Sequence, residues 1–298
     1  MDLSGVFAAL TTPFSQDGSV SLADLRHNLL RYNATDLAGF VILGSTGESV
    51  MLSPAEMDTI LAAAVEAVGK KKKLIAGTGA ESTAETIERT KRAAELGCSM
   101  ALVKTPYYYK SMYKPDVLIA HYRRVADESP IPVMLYSVPQ FTGIALEVPE
   151  VTALAEHPNI IGMKDSSGNV QRLAEMISTV PPSFQILVGS ASTMYPSLAL
   201  GARGCILALA CALPEKCVAL YELVRKGHHE KAREFQSILA RASKTIVSDL
   251  GIAGVKYVMD QRGYRGGDPR LPLRPLHHEE KKRLNDLLRA LEPAAVRA

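Results

Sequence analysis

The residues best suited to chemistry are a lysine and a tyrosine at the ends of two successive apolar runs, together with a turn rich in small hydroxyl residues. In "IIGMKDSSG" (160–168) the apolar residues read as a buried strand, and Lys164 falls where that strand should end. A lysine amine can attack a ketone, lose water and become an iminium that withdraws electrons from the neighbouring carbon. The amine must be neutral to attack, and the desolvated interior of a barrel disfavours the charged form. The competing role for Lys164 is a structural ion pair with Asp165 or Glu48, or a side chain that runs out of the barrel to water.

Tyr136 ends the preceding run, in "LYSVP", where it could relay protons to Lys164 and to a substrate. It could equally be an aromatic with its hydroxyl satisfied at the barrel rim. "GSTGE" (44–48) follows another run: its small residues let backbone N–H groups converge, and Ser45 and Thr46 add hydroxyls. That suits a carboxylate or phosphate, and it also suits an ordinary tight turn. "TPYYYK" (105–110) clusters three tyrosines, as for packing, a subunit interface or a relay hydroxyl. The histidines fall on helices or helix ends, in packing or surface settings. Lys104, inside the fourth run, has no evident role in the sequence.

These residues need a scaffold that gathers strand ends. Eight short apolar runs occur: 5–10, 39–44, 73–79, 100–106, 132–139, 160–166, 184–190 and 204–210. Each is followed by a helical pattern, and near-continuous hydrophobicity suits parallel strands buried on both faces. "SPAEMDTILAAAVEAVG" is the clearest helix, with Ser53 as cap, Pro54 at the first position and Glu56 completing a capping box. "ESTAETIERTKRAAELG" and "NVQRLAEMISTV" carry similar apolar stripes. Eight such units predict a (β/α)8 TIM barrel over residues 1–225, with the active site at the C-terminal ends of its strands. A doubly wound open sheet would want a Gly-rich dinucleotide loop after the first run, and "AALTTPF" is not one. Residues 226–298 hold helical patterns and a Pro/Gly-rich stretch, and read as a C-terminal helical extension.

Composition narrows the classes further. A formal net charge of +3 over 298 residues argues against nucleic acid or a membrane surface as partner. The basic run Lys70–Lys73 reads as a solvated helix end. No apolar segment is long enough to span a bilayer, and the N-terminus lacks the basic and apolar regions of a signal peptide. Cys98, Cys205, Cys211 and Cys217 show neither CxxC pairing nor histidines at metal-ligand spacing. They read as buried thiols of a protein in a reducing cytoplasm, with no metal site.

Taken together and in order, "LTTPF", "GSTGE", "TPYYYK", "LYSVP", "GMKDSSG" and "GSAS" resemble the class I pyruvate aldolases that include dihydrodipicolinate synthase and N-acetylneuraminate lyase. The likeness runs nearly end to end. It implies that Lys164 forms a Schiff base with a 2-oxo acid, that Tyr136 transfers protons, and that Ser45 and Thr46 hold the carboxylate. It implies that Tyr108 reaches across a tight dimer and completes a relay through Thr46 to Tyr136. The resemblance also implies substrate-binding roles for Ser166, Gly189, Ile206 and Phe141. A homotetramer built as a dimer of dimers is implied too, with no cofactor beyond the covalent lysine–pyruvate adduct.

The departures bear on the second substrate. Dihydrodipicolinate synthases carry an arginine where this chain has Phe141, and asparagine where it has Ser137; an apolar ring cannot replace a bidentate guanidinium. "HPNIIGMKDSSGNVQR" and "GIAGVKYVMDQRGYRGG" look more like 4-hydroxy-2-oxoglutarate aldolases, which release pyruvate and glyoxylate. Dihydrodipicolinate synthesis and cleavage of 2-keto-3-deoxy sugar acids are the enzymatic alternatives. A silent 2-oxo acid sensor is the alternative from another class, although a sensor needs no nucleophile.

Overall fold

The computed structural model describes residues 1–70 and 72–291; Lys71, inside the basic run, and 292–298, the end of the expected extension, lie outside them. All eight apolar runs become strands: β1 (Gly5–Ala9), β2 (Gly39–Ile42), β3 (Lys73–Gly77), β4 (Met100–Lys104), β5 (Val133–Ser137), β6 (Ile160–Asp165), β7 (Gln185–Val188) and β8 (Gly204–Leu207). They pair in parallel in sequence order, and β8 closes on β1. Each strand is buried on both faces, which is why its sequence does not alternate. Phe7, Val41, Ile75, Leu102, Met134 and Leu187 fill the barrel interior, so it is a packed core and not a pore.

The helices are α1 (Leu22–Asn33), α2 (Pro54–Val68), α3 (Thr83–Glu95), α4 (Pro115–Glu128), α5 (Pro139–Thr142), α6 (Val148–Ala155) and α7 (Val170–Thr179). They continue as α8 (Met194–Ala199), α9 (Leu209–Ala212), α10 (Pro214–Arg225), α11 (His229–Ser243), α12 (Gly251–Gln261) and α13 (His278–Leu291). The capping box of α2 is formed: Glu56 N donates to Ser53 Oγ at 3.3 Å, and Ser53 N to Glu56 Oε2 at 2.8 Å. Lys72 is not a solvated charge after α2. Its ammonium donates to the carbonyls of Thr35 and Leu37, fastening the loop after α1.

The C-terminal stretch is not a separate layer. Ile246, Val255 and Met259 pack in one apolar cluster with Ala8 and Leu10 of the barrel. Between α11 and α12 the chain winds as a π-helix over Lys244–Asp249, a form that is rare and concentrated at functional sites. All four cysteines are buried and unpaired. Among the described residues, no helix is long and apolar enough to cross a membrane.

Candidate active site

β5 and β6 lie side by side in a register that pairs Tyr136 with Lys164 at the C-terminal end of the barrel. Both side chains are buried, and Lys164 Nζ stands 4.2 Å from the centroid of the Tyr136 ring. The carboxylates that could hold this ammonium are engaged elsewhere. Asp165 accepts from Arg172 Nη2 at 2.9 Å and from Ser167 Oγ at 2.7 Å. Glu48 pairs with Lys256 at 2.7 Å, both side chains fully buried. Among the described residues no carboxylate lies within ion-pair distance of Lys164, so the structural ion pair open to it in the sequence is not made.

The turn after β2 is shaped by strain. Leu43 and Glu48, at its two ends, both adopt the left-handed conformation, with φ of 58° and 56°. Each such non-glycine residue costs about 1–3 kcal/mol and persists only where its surroundings enforce it. Gly77 on β3 is part of that enforcement: a Cβ there would lie 2.2 Å from the Leu43 carbonyl oxygen. Thr12 Oγ1, from the "LTTPF" segment, donates to Gly47 O at 2.7 Å. The turn delivers Ser45 Oγ to within 3.5 Å of the Tyr136 hydroxyl. Among the described residues, Ser45 supplies the side-chain hydroxyl within hydrogen-bond distance of Tyr136, and Thr46 lines the same cavity.

A cavity of about 340 Å³ opens over these groups. Ser45, Thr46, Tyr136, Phe141, Lys164, Ser166 and Gly189 all line it. Phe141 is 70% exposed and stands at the rim. Gly189 must lack a side chain, because a Cβ would lie 1.9 Å from Ser166 Oγ. Two expected site residues do not line this chain's own cavity. Ile206 is fully buried and packs in the interior cluster with Tyr136 and Leu187, outside the lining, because its β8 position points into the barrel core. Tyr108 is 73% exposed and stacks edge-on against Tyr109 at 5.0 Å, so it does not reach its own chain's cavity. Its backbone N–H, like that of Tyr107, donates to the Glu81 carboxylate. Ser137 faces away from the cavity: it is fully buried, and its hydroxyl accepts from Leu146 N at 3.2 Å.

The sequence gives no local sign of the opposite wall. Ser243, Val247, Ser248, Gly251, Ile252 and Val255, from α11, the π-helix and α12, complete the lining. Ordinary serines and aliphatics on a helical pattern carry no chemical signature, and only the packing of that stretch over the strand ends brings them here. Gln140 is a further lining residue without one, whereas Ser190, in "GSAS" after β7, lines the cavity as its motif suggests.

Lys104 now has a structural role. Its Nζ donates to Gly79 O at 2.7 Å and lies 5.3 Å from the Tyr107 ring centroid. Burial pushes its pKa down to about 8, with the Glu81 carboxylate opposing that shift and Arg89 adding to it. In the unfolded chain the value is near 10.5. The folded-state pKa is the lower, so the unfolded chain holds more protons between the two values and stability rises with pH there. Below about pH 8 the full penalty of burying the ammonium is present. Urea denaturation of wild type and Lys104→Met from pH 7 to 10.5 is expected to show the wild type gaining on the variant across this window. A pH-independent difference would exclude the buried ammonium.

Comparison with known proteins decides the family. A profile of the Dihydrodipicolinate synthetase family matches residues 2–291. The chain belongs to the dihydrodipicolinate synthetase family. It is accordingly a lyase of the metal-independent class I aldolase type. It is 41% identical over 276 residues to a 4-hydroxy-tetrahydrodipicolinate synthase from Exiguobacterium sp., covering 92% of each chain. A dihydrodipicolinate synthase structure from Bacillus anthracis superposes with a TM-score of 0.93 at 28% identity, over 97% of this chain and 99% of that one. The chloride-inhibited dihydrodipicolinate synthase from Acinetobacter baumannii, solved in complex with pyruvate, gives 0.91 at 30% identity, over 96% of this chain and 98% of that one. Within the family frame, the cavity over Lys164 and Tyr136 is the candidate active site of a dihydrodipicolinate synthetase family lyase.

Proposed function

We propose that this family member is a pyruvate-dependent aldolase that works through a Schiff base on Lys164. The observation that carries the reading is a buried amine lining a cavity, 4.2 Å over a tyrosine ring and, among the described residues, without a carboxylate in ion-pair distance. In this reading Ser45, Thr46 and the amides of their turn hold the carboxylate of the 2-oxo acid. Lys164 Nζ adds to the ketone carbon, and Tyr136 moves the protons that turn carbinolamine into iminium and water. Loss of a C3 proton, or rupture of the C3–C4 bond, leaves the electron pair in an enamine. The enamine adds to an aldehyde in synthesis or is protonated after cleavage, and water then releases the lysine. The iminium is the electron sink, so the proposed mechanism uses neither metal nor organic cofactor. Tyr108 is proposed to serve the partner's cavity in a homotetramer; its exposure beside Tyr109 and Met112, both also exposed, supports this.

The names carried by the relatives support 4-hydroxy-tetrahydrodipicolinate synthesis, the condensation of pyruvate with aspartate semialdehyde. The likeness of "HPNIIGMKDSSGNVQR" and "GIAGVKYVMDQRGYRGG" to 4-hydroxy-2-oxoglutarate aldolases supports a second reading, cleavage of that substrate to pyruvate and glyoxylate. Phe141 occupies the rim, and among the described lining residues Lys164 is the sole cation, so no guanidinium meets the distal carboxylate that both substrates carry, and assay has to separate them. Parallel coupled assays test the two. The synthase reading expects kcat/KM for the semialdehyde to exceed that for 4-hydroxy-2-oxoglutarate by at least about tenfold, or ~1.4 kcal/mol in the transition state. The opposite ratio supports cleavage and rejects synthesis.

A further inference from the structure

The fully buried ion pair between Lys256 and Glu48 lies outside the cavity, yet it ends the turn that carries Ser45 and Thr46. Lys256 sits on α12, in the stretch that reads in sequence as a mere extension. Its ammonium also donates to Asp268 O at 3.0 Å and lies 4.5 Å over the Phe14 ring. The second Glu48 oxygen accepts from Arg270 N at 2.8 Å. Arg270 stacks on the same Phe14 ring at 4.4 Å and donates to Gly18 O at 2.7 Å. The segment from Lys256 to Arg270 therefore grips Glu48 from both carboxylate oxygens and is itself tied to the loop after β1. The close approach depends on Gly266, where a Cβ would lie 2.1 Å from Lys256 O.

Glu48 is one of the two strained residues that give the turn its shape. A left-handed glutamate with no partner would relax toward the right-handed region, and the residues before it would follow. An ion pair 2.7 Å long, in a place water does not reach, opposes that relaxation. We propose that Lys256 is a positioning residue for substrate: its ion pair with Glu48 holds the Leu43–Glu48 turn in the form that receives the carboxylate of the 2-oxo acid. The inference rests on the reading that this turn binds that carboxylate. It assigns the C-terminal segment a role in affinity, separate from the cavity wall.

The test is borohydride trapping on Lys164, followed by intact-protein mass, as a function of ketone concentration. Two ketones are compared, pyruvate and hydroxyacetone, which lacks the carboxylate. Lys256→Met leaves Glu48 buried without a partner, so Lys256→Met/Glu48→Gln carries the test if the single variant does not fold. A neutral pair of similar volume is tolerated where a broken ion pair is not. Half-saturating pyruvate is expected to rise about 10- to 100-fold, the effect of an ångström-scale displacement. Hydroxyacetone trapping is expected to keep its wild-type concentration dependence. Unchanged pyruvate dependence in a folded variant overturns the inference and leaves the aldolase reading intact. Equal losses with both ketones also overturn it, by showing a purely structural role. No adduct in the wild type with either ketone removes the aldolase reading, and the inference with it.

Discussion

Lys164→Ala is expected to abolish turnover and, with it, borohydride trapping of pyruvate, while the protein remains folded. The proposed mechanism has no second nucleophile in the cavity, since Lys164 is the sole amine among the described lining residues. Loss of covalent catalysis should lower kcat by at least about 10⁴-fold, or ~5.5 kcal/mol of barrier. Lys164 makes no ion pair, because Asp165 is held by Arg172 and Glu48 by Lys256. Removing the ammonium therefore strands no buried carboxylate, which is the usual source of a 3–5 kcal/mol loss, roughly, when one partner of a buried pair is deleted. The melting temperature should stay within a few degrees of wild type, an expected shift of less than ~1 kcal/mol. Trapping followed by peptide mapping checks the site directly. A folded Lys164→Ala protein with wild-type turnover would end the Schiff-base mechanism.

Tyr136→Phe has the second largest expected effect. The ring that lies 4.2 Å from Lys164 Nζ is preserved, as is its packing in the barrel interior. Only the hydroxyl, 3.5 Å from Ser45 Oγ, is removed. Loss of a positioned proton-transfer group should slow the reaction about 10²- to 10⁴-fold. The adduct with pyruvate should still form, more slowly, because the nucleophile is present. Stopped-flow measurement of adduct formation, together with steady-state kcat, separates the two effects. Equal rates in wild type and Tyr136→Phe would show that another group carries the protons and that the tyrosine serves only to pack.

The barrel was legible because each strand is buried on both faces. Burial on two sides demands an apolar residue at nearly every position, so eight local runs announce eight strands. Their punctuation is local too, as the Ser53–Glu56 capping box shows. Lys164 and Tyr136 stood out for the same reason, as polar groups at the ends of apolar runs. Strand order then made them neighbours, since β5 and β6 pair in parallel.

What the lysine can do was a tertiary matter. The sequence offers it two carboxylates, and which cation reaches each of them depends on packing. Arg172 comes from the first turn of the following helix, whereas Lys256 comes from far along the chain. Ile206 illustrates the same gap: a residue's place at a strand end does not say which way it faces. The cavity wall from α11, the π-helix and α12 was likewise invisible, because serine and valine on a helix bear no mark of what they will cover. By itself, the sequence determined the eight-unit barrel, the lysine and tyrosine at adjacent strand ends and the small-residue turn, all of which follow from near-neighbour chemistry. Only the tertiary structure decided that the amine is free, that the turn is strained, and that the C-terminal segment grips it. Those properties arise from contacts between residues remote in the chain, where no local pattern constrains which groups meet.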